Sequence, residues 1–80
     1  MKRSVTSLND MQIGEKVIVK QIQAEGSIRR RLLDIGLVED TLVECVLKSP
    51  FGDPTAYFIR GALIAIRSED SKSILVEAMN

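Results

Sequence analysis

The chain has 80 residues, which is the length of one small domain. Its 11 basic and 11 acidic residues cancel, and its hydrophobic fraction of 45% is that of an ordinary globular domain, which excludes intrinsic disorder. The apolar runs, such as residues 63–66, are far shorter than the roughly 20 residues that a bilayer span needs, so we expect no direct membrane insertion. Polar residues follow Lys2 and Arg3 where a secretory signal would be apolar, and we expect a cytoplasmic location.

Side chains with catalytic or metal-binding chemistry are few. The chain has no histidine, which is the commonest general base and metal ligand, and its single cysteine, Cys45, excludes an internal disulfide. The sequence contains no phosphate-binding glycine loop and no nucleophile–base pair. We therefore expect a binding or regulatory module that is not an enzyme and that holds no cofactor.

The beginning of the chain is polar, and we predict a flexible N-terminus over residues 1–7 followed by a single domain over residues 8–80. Leu8, Met11 and Ile13 are spaced to place a short apolar turn against a core. Residues 17–22 are mostly β-branched, which predicts the first strand.

A short amphipathic helix is predicted over residues 28–35. Ile28, Leu32 and Ile35 recur at the helical period and are expected to pack on the core. Ser27 is placed to cap the start of this helix, and Gly36 is placed to end it in a left-handed conformation.

The second half of the chain reads as short strands separated by turns. The predicted elements are a strand over 41–47, a loop over 49–54, strands over 55–60 and 63–67, a helical turn over 68–71 capped by Ser68, and a last strand over 74–78. About five strands and one short α-helix in a mainly β chain favour a small antiparallel barrel. The strand residues expected in its core are Val17, Val19, Val43, Cys45, Ile64, Ile66 and Val76.

The run Arg29, Arg30, Arg31 is the densest charge in the chain. It is either a solvated helix face, with Arg30 and Arg31 near Asp34, or a docking patch for an acidic partner. We expect no nucleic-acid partner, because the chain is neutral and few aromatic rings are available to stack on bases.

The loop that contains Phe51, Gly52 and Asp53 has two interpretations. It is either an ordinary turn in which Asp53 bonds to its own backbone, or a recognition loop with Phe51 as an exposed apolar tip. Arg29, Arg30, Arg31, Phe51, Gly52 and Asp53 are therefore the candidate partner-binding residues.

No metal site is expected. Cys45 lies in a predicted strand without a histidine or second cysteine, and such a cysteine is usually a small buried apolar residue. The pairs Glu39–Asp40 and Glu69–Asp70 offer carboxylates for a hard cation, but acidic pairs on turns are usually just solvated.

Four stretches of the chain resemble the ferrous iron transport protein A (FeoA) family, in the order in which that family has them. They are Leu8-x-x-Met11-x-x-Gly14, the helix end at residues 31–37, the loop at residues 49–54, and the closing segment at residues 61–67 with Ile74 and Val76. Where the family usually has Pro-Gly after the helix, this chain has Glu39-Asp40, so Asp40 must adopt a conformation that glycine adopts at little cost.

The resemblance implies an SH3-like barrel that acts as a small cytosolic accessory of ferrous iron uptake. Its implied partner is the cytosolic portion of the membrane ferrous iron transporter, ferrous iron transport protein B. The alternative that the family's relatives offer is a metal-sensing domain of the type found at the C-terminus of metal-dependent repressors. A complete repressor would need an additional DNA-binding domain that 80 residues cannot contain.

Overall fold

The computed structural model describes residues 5–79, which form six β-strands and three short helical segments. In chain order these are β1 (Val5–Ser7), a 3₁₀ helix (Leu8–Asp10), β2 (Lys16–Ile22), α1 (Gly26–Asp34), β3 (Leu42–Lys48), β4 (Thr55–Ile59), β5 (Ala62–Ile66), α2 (Ser68–Ser71) and β6 (Ile74–Ala78). The strands pair antiparallel in the order β1-β6-β2-β3-β4-β5. The prediction of a mainly β, antiparallel fold is confirmed.

The first strand was not predicted. Val5 pairs with Glu77 and Ser7 pairs with Leu75, so β1 occupies the outer edge of β6. Val5–Ser7 lie within the segment predicted to be flexible, and here they form a strand because the edge of β6 supplies partners for their backbone hydrogen bonds. Residues 1–4 lie outside the described part of the chain.

The core lies inside the curved sheet and is filled by alternate strand residues. Val17 and Val19 of β2 face inward, and a bulge between Val19 and Gln21 shifts the register so that Ile22 faces inward as well. Six of the seven predicted core residues are buried, and Ile64 is half-buried against the others. Leu8 and Met11 are buried as predicted, but Ile13, in the turn before β2, is exposed.

Helix α1 packs on the core with its C-terminal half. Leu32 is only 2% exposed and Ile35 packs against the core, as predicted, but Ile28 is 41% exposed. The prediction for Ile28 is wrong because it lies in the first turn of α1, away from the buried end of the helix. Ser27 is also wrong as a cap: the helix begins at Gly26, and its N-cap residue, Glu25, makes no side-chain capping bond.

The end of α1 follows the predicted pattern. Gly36 has a φ of +104°, its N–H donates to the carbonyl of Leu33, and the N–H of Leu37 donates to the carbonyl of Leu32. These two bonds form a Schellman motif, in which the left-handed residue must be one that tolerates positive φ. The motif turns the chain so that Leu37 enters the core beside Leu32.

Among residues 5–79, two non-glycine residues have positive φ: one lies in the turn before β3 and the other in the turn after β4. Asp40 has a φ of +71°, so it does adopt the conformation usually taken by glycine, and its N–H donates to the carbonyl of Val19 at 2.7 Å. Arg60 and Gly61, with φ of +50° and +87°, form the two-residue turn between β4 and β5. The predicted strands, 55–60 and 63–67, left Gly61 and Ala62 as the turn between them. The turn lies one residue earlier in the structure, because Ile59 pairs with Ala62.

Candidate functional site

The two predicted docking features meet on either side of α2. The loop at residues 49–54 reaches it through Asp53, whose carboxylate accepts a hydrogen bond from the N–H of Ser68 at 2.8 Å and from the Ser68 hydroxyl at 3.3 Å. Helix α1 reaches it through Arg31, whose Nη2 lies 2.6 Å from Oδ2 of Asp70. The structure therefore places the loop and Arg31, but not Arg29 or Arg30, around one short helix.

The loop has a rigid base and an exposed tip. The N–H of Gly52 donates to the carbonyl of Ser49 at 2.8 Å, and Gly52 has a φ of +85°, which closes a tight turn. Phe51 at the tip is 96% exposed. Of the two interpretations of this loop, the turn in which Asp53 bonds to its own backbone does not form, because its carboxylate accepts hydrogen bonds from Ser68, 15 residues later.

The three arginines have different environments. Arg29 donates from Nη1 to the carbonyl of Ile22 at 2.9 Å, which fixes the start of α1 to the end of β2. Arg31 pairs with Asp70 across the groove described below. Arg30 makes no hydrogen bond or ion pair within residues 5–79, and the anticipated pairs of Arg30 and Arg31 with Asp34 do not form there. Arg30 is thus the arginine of the run that is available to a partner.

A groove of about 380 Å³ separates α1 from β5 and α2. Its exposed lining is mainly polar and includes the Arg31–Asp70 ion pair, with a smaller apolar part from Ile35 and Ile64. A polar groove with charges of both signs resembles the rim of a protein interface more than a site for a small charged substrate.

The sequence reasoning did not single out a second surface, which lies beside β3 and β4. There a groove of about 480 Å³ is lined by the turn before β3 and by residues of β3 and β4. Leu42 and Phe58 are exposed on it. The sequence contains one indication of this surface, which is that β4 has apolar residues on both faces. Alternation of apolar and polar residues therefore cannot show which face of β4 is buried.

The described residues do not gather a metal-binding set. Within residues 5–79 no three acidic, cysteine or histidine side chains are grouped so that they could hold an ion. Cys45 is fully buried, and desolvation by this burial raises the pKa of its thiol, with Lys48 opposing and Glu15 reinforcing the effect. Asp40 lies 3.5 Å from Nζ of Lys20, and Asp70 is held by Arg31. One carboxylate of each predicted acidic pair is therefore engaged in an ion pair.

Over residues 5–79, none of the helices combines the length and the hydropathy required to cross a membrane.

Comparison with solved structures supports the fold. The chain is 36% identical to a FeoA-like protein of Clostridium acetobutylicum, with a TM-score of 0.89 and coverage of 100% of this chain and 92% of that one. It is 27% identical to Stenotrophomonas maltophilia FeoA, described as an SH3 domain protein complexed with zinc, with a TM-score of 0.79 and coverage of 89% and 88%. The SH3-like fold expected from the resemblance is confirmed.

Two further likenesses differ in scope. A manganese-dependent transcriptional repressor shares the fold, with a TM-score of 0.86 at 19% identity, over 99% of this chain and 44% of that one. A curated relative, the Fe(2+) transport protein A/Fe(2+) transporter FeoB fusion protein of Porphyromonas gingivalis, is 27% identical over 73 residues, which are 91% of this chain and 9% of the relative. The chain thus spans about a tenth of that relative's length.

The model of the FeoA domain family matches residues 6–78. This match covers all six strands and both α-helices, apart from the first residue of β1. The chain therefore belongs to the FeoA domain family.

Proposed function

We propose that this chain is a cytoplasmic accessory protein of ferrous iron uptake and that it acts by contact with the cytosolic part of the ferrous iron transporter. The observation that carries the proposal is the fusion relative, in which a homologous domain and the transporter form one polypeptide. Covalent linkage keeps two partners at a high effective concentration, which favours contact between their surfaces.

The proposed docking face consists of the loop at residues 49–54 and helix α1, which contact α2 from either side. Phe51 on the loop is an aromatic side chain that the fold leaves in solvent. Arg30 on α1 lies beside Leu33 and Asp34, outside the groove with α2, and its guanidinium is unpaired within residues 5–79. Aromatic residues and arginine are enriched where protein interfaces gain most of their binding free energy. The Asp53–Ser68 bond holds the loop in place, so the loop loses little conformational entropy when it binds.

The proposed mechanism is regulation by contact, without catalysis and without a cofactor. The side chains that chemistry would need are scattered: the Cys45 thiol is buried, and the hydroxyl of Ser71 is buried and bonded to Asn9 and to the carbonyl of Ser68. The chain would then regulate the transporter by binding one of its conformations more tightly than the other, which shifts the transporter's conformational equilibrium toward that state.

The test measures binding of the purified chain to the soluble cytosolic portion of the transporter, immobilised on a sensor surface, with and without guanine nucleotide. Arg30→Glu and Phe51→Ala are the informative variants. Both side chains are exposed and neither has a hydrogen-bond or ion-pair partner within residues 5–79, so a loss of binding would not be caused by a loss of folding. Arg29→Glu is avoided as a single test because it removes the bond to the carbonyl of Ile22. Matched controls are Lys16→Glu on β2 and Ile13→Ala, an exposed apolar residue in a distant turn.

Both informative variants should weaken binding, and both controls should leave it unchanged. The Arg30→Glu effect should shrink at higher ionic strength, because exposed charges are screened over about 10 Å at 0.1 M salt, whereas the Phe51→Ala effect should persist. Absence of binding by the parent chain would overturn the proposed function. Binding that both informative variants retain would remove this face from the proposal.

A metal-sensing domain is the second candidate, favoured by the zinc-bound relative and by the repressor with the same fold. The donor set argues against it, because tight zinc or ferrous sites need several nitrogen or sulfur ligands held together. Here the only thiol is buried and histidine is absent from the sequence. We expect anaerobic calorimetric titration with ferrous iron and with zinc to show no micromolar site. One equivalent bound at that affinity would favour the metal-sensing function.

A further inference from the structure

The groove beside β3 and β4 has an apolar floor that the fold does not explain. Val38, Leu42 and Phe58 line it and are 38%, 46% and 46% exposed. Small globular domains rarely leave large apolar side chains adjacent to one another in solvent, and such patches mark interaction sites.

The register of the sheet shows why these side chains face outward. Val43 pairs with Ile59 and both are buried, so the alternate residues Leu42 and Phe58 lie on the outer face. Phe58 stands between Glu44 on β3 and Leu63 on β5, both of which also face away from the core. Tyr57 and Ile59, on either side of Phe58 in β4, belong to the buried core, whereas Phe58 does not.

The rim of the groove is acidic. Glu39, Asp40 and Glu44 contribute carboxylates, and Arg60 is the basic residue on the lining. The Lys20–Asp40 pair, at 3.5 Å with Asp40 largely exposed, is a surface ion pair of small energy that a bound cation can replace. Negative charge around an apolar floor is complementary to a segment that carries both apolar and basic side chains.

The groove is also rigid on the side of the turn. The N–H of Asp40 donates to the carbonyl of Val19, the N–H of Val19 donates to the carbonyl of Thr41, and the N–H of Thr41 donates to the carbonyl of Val38. These bonds tie the turn to β2. A preformed rim costs less conformational entropy on binding than a mobile loop.

We propose that this groove binds a basic amphipathic segment of a partner protein, with an apolar side chain on Leu42 and Phe58 and a lysine or arginine at Glu39 and Glu44. The surface is distinct from the face around α2, so the inference does not rest on the proposed transporter contact. A second copy of this chain is the alternative occupant, and the self-association measurement below tests it.

The test uses the full chain labelled with ¹⁵N and three synthetic peptides. The first peptide alternates pairs of leucine with pairs of lysine; the second has glutamate for every lysine, and the third has serine for every leucine. Only the first should bind, with amide shifts concentrated at Val38, Leu42, Glu44 and Phe58. Binding by the third with the same affinity would show bare charge attraction and overturn the proposal, as would shifts confined to the face around α2.

Variants then locate the contact. Phe58→Ala and Glu44→Lys should each weaken binding of the first peptide about tenfold, the effect of losing a moderate interface contact. The matched controls Leu47→Ala, an exposed apolar residue of β3, and Glu69→Lys on α2 should leave the affinity unchanged. Equal affinity in the parent and both groove variants would overturn the proposal. So would sedimentation data in which the chain alone self-associates and Phe58→Ala abolishes that association, because the occupant would then be a second copy.

Discussion

Asp53 caps α2 from a loop 15 residues earlier: its Oδ1 accepts the N–H of Ser68 at 2.8 Å, at the first residue of the helix. The local N-cap residue, Arg67, makes no side-chain capping bond. A helix of four residues has few internal hydrogen bonds, and a carboxylate at its start both satisfies an otherwise free donor and interacts favourably with the helix dipole.

Asp53→Ala should therefore lower the free energy of unfolding by about 1 kcal/mol, the usual effect of removing a capping side chain. Urea denaturation monitored by circular dichroism measures this change. Glu39→Ala, at an exposed turn position, is the matched control and should change stability by less than about 0.5 kcal/mol. Equal stability of Asp53→Ala and the parent would mean that the cap contributes nothing.

Leu32→Ala should lower stability by about 2–5 kcal/mol, because it opens a cavity beneath α1 in a small core. Ile28→Ala is the matched variant on the same helix and should change stability by less than about 1 kcal/mol, since Ile28 is mostly in solvent. Thermal melting curves separate the two outcomes. A similar loss in both variants would contradict the assignment of the buried end of α1.

Asp40→Gly should be neutral or stabilising by up to about 1 kcal/mol. The substitution removes the strain of a positive φ, offset in part by the greater entropy of glycine in the unfolded chain. Asp40→Val should destabilise by about 1–3 kcal/mol, because a β-branched residue is strongly disfavoured at this φ. Urea midpoints of the two variants test the sign, and a valine variant as stable as the parent would show that the turn relaxes.

Stability should fall as pH rises above about 8.5. Burial raises the pKa of the Cys45 thiol in the folded chain, so in this range the unfolded chain releases its proton first and the unfolded state is favoured. Below about pH 8.5 the thiol of Cys45 is protonated in both states, so its contribution to the free energy of unfolding is fully present. Desolvation raises the pKa of Tyr57 too, which extends the loss beyond about pH 10.

The measurement is the free energy of unfolding by urea at pH values from about 7 to 10, for the parent and for Cys45→Ala. The variant should lose less stability than the parent between about pH 8.5 and 10. The native thiol should also resist alkylation until the chain unfolds, since Cys45 is fully buried. An equal loss in the parent and the variant would assign the pH effect to other groups.

Local signals in the sequence predicted most of the sheet and the end of α1. The β-branched run of β2 favours a strand, and the position of Gly36 after Leu32 and Ile35 favours the end of a helix. Both preferences depend only on residues that are close together in the sequence. Strand β1 was missed because its partner, β6, lies about seventy residues away, and polar residues at a sheet edge have no hydrophobic period.

The candidate site was predictable only in its exposed parts. Phe51 is in solvent as its loop context indicated, but Arg31 pairs with Asp70 instead of Asp34 because the tertiary fold brings α2 next to α1. The acidic groove could not be predicted from the sequence, because Tyr57 and Phe58 are both aromatic and either could face the core. The register of β4 with β3 decides that Tyr57 faces inward and Phe58 faces outward.

The pairing of β1 with β6 has a consequence for how this domain can be joined to other chains. Val5 lies opposite Glu77, so the path into the barrel and the path out of it leave the sheet side by side. A further segment can then be attached at either end of the domain. The domain can also be inserted into a surface loop of a larger protein through short linkers, because these linkers would not have to cross the sheet. The geometry suits a part that is transferred between proteins as one piece, and we expect a chain inserted through short glycine linkers into such a loop to keep its cooperative unfolding.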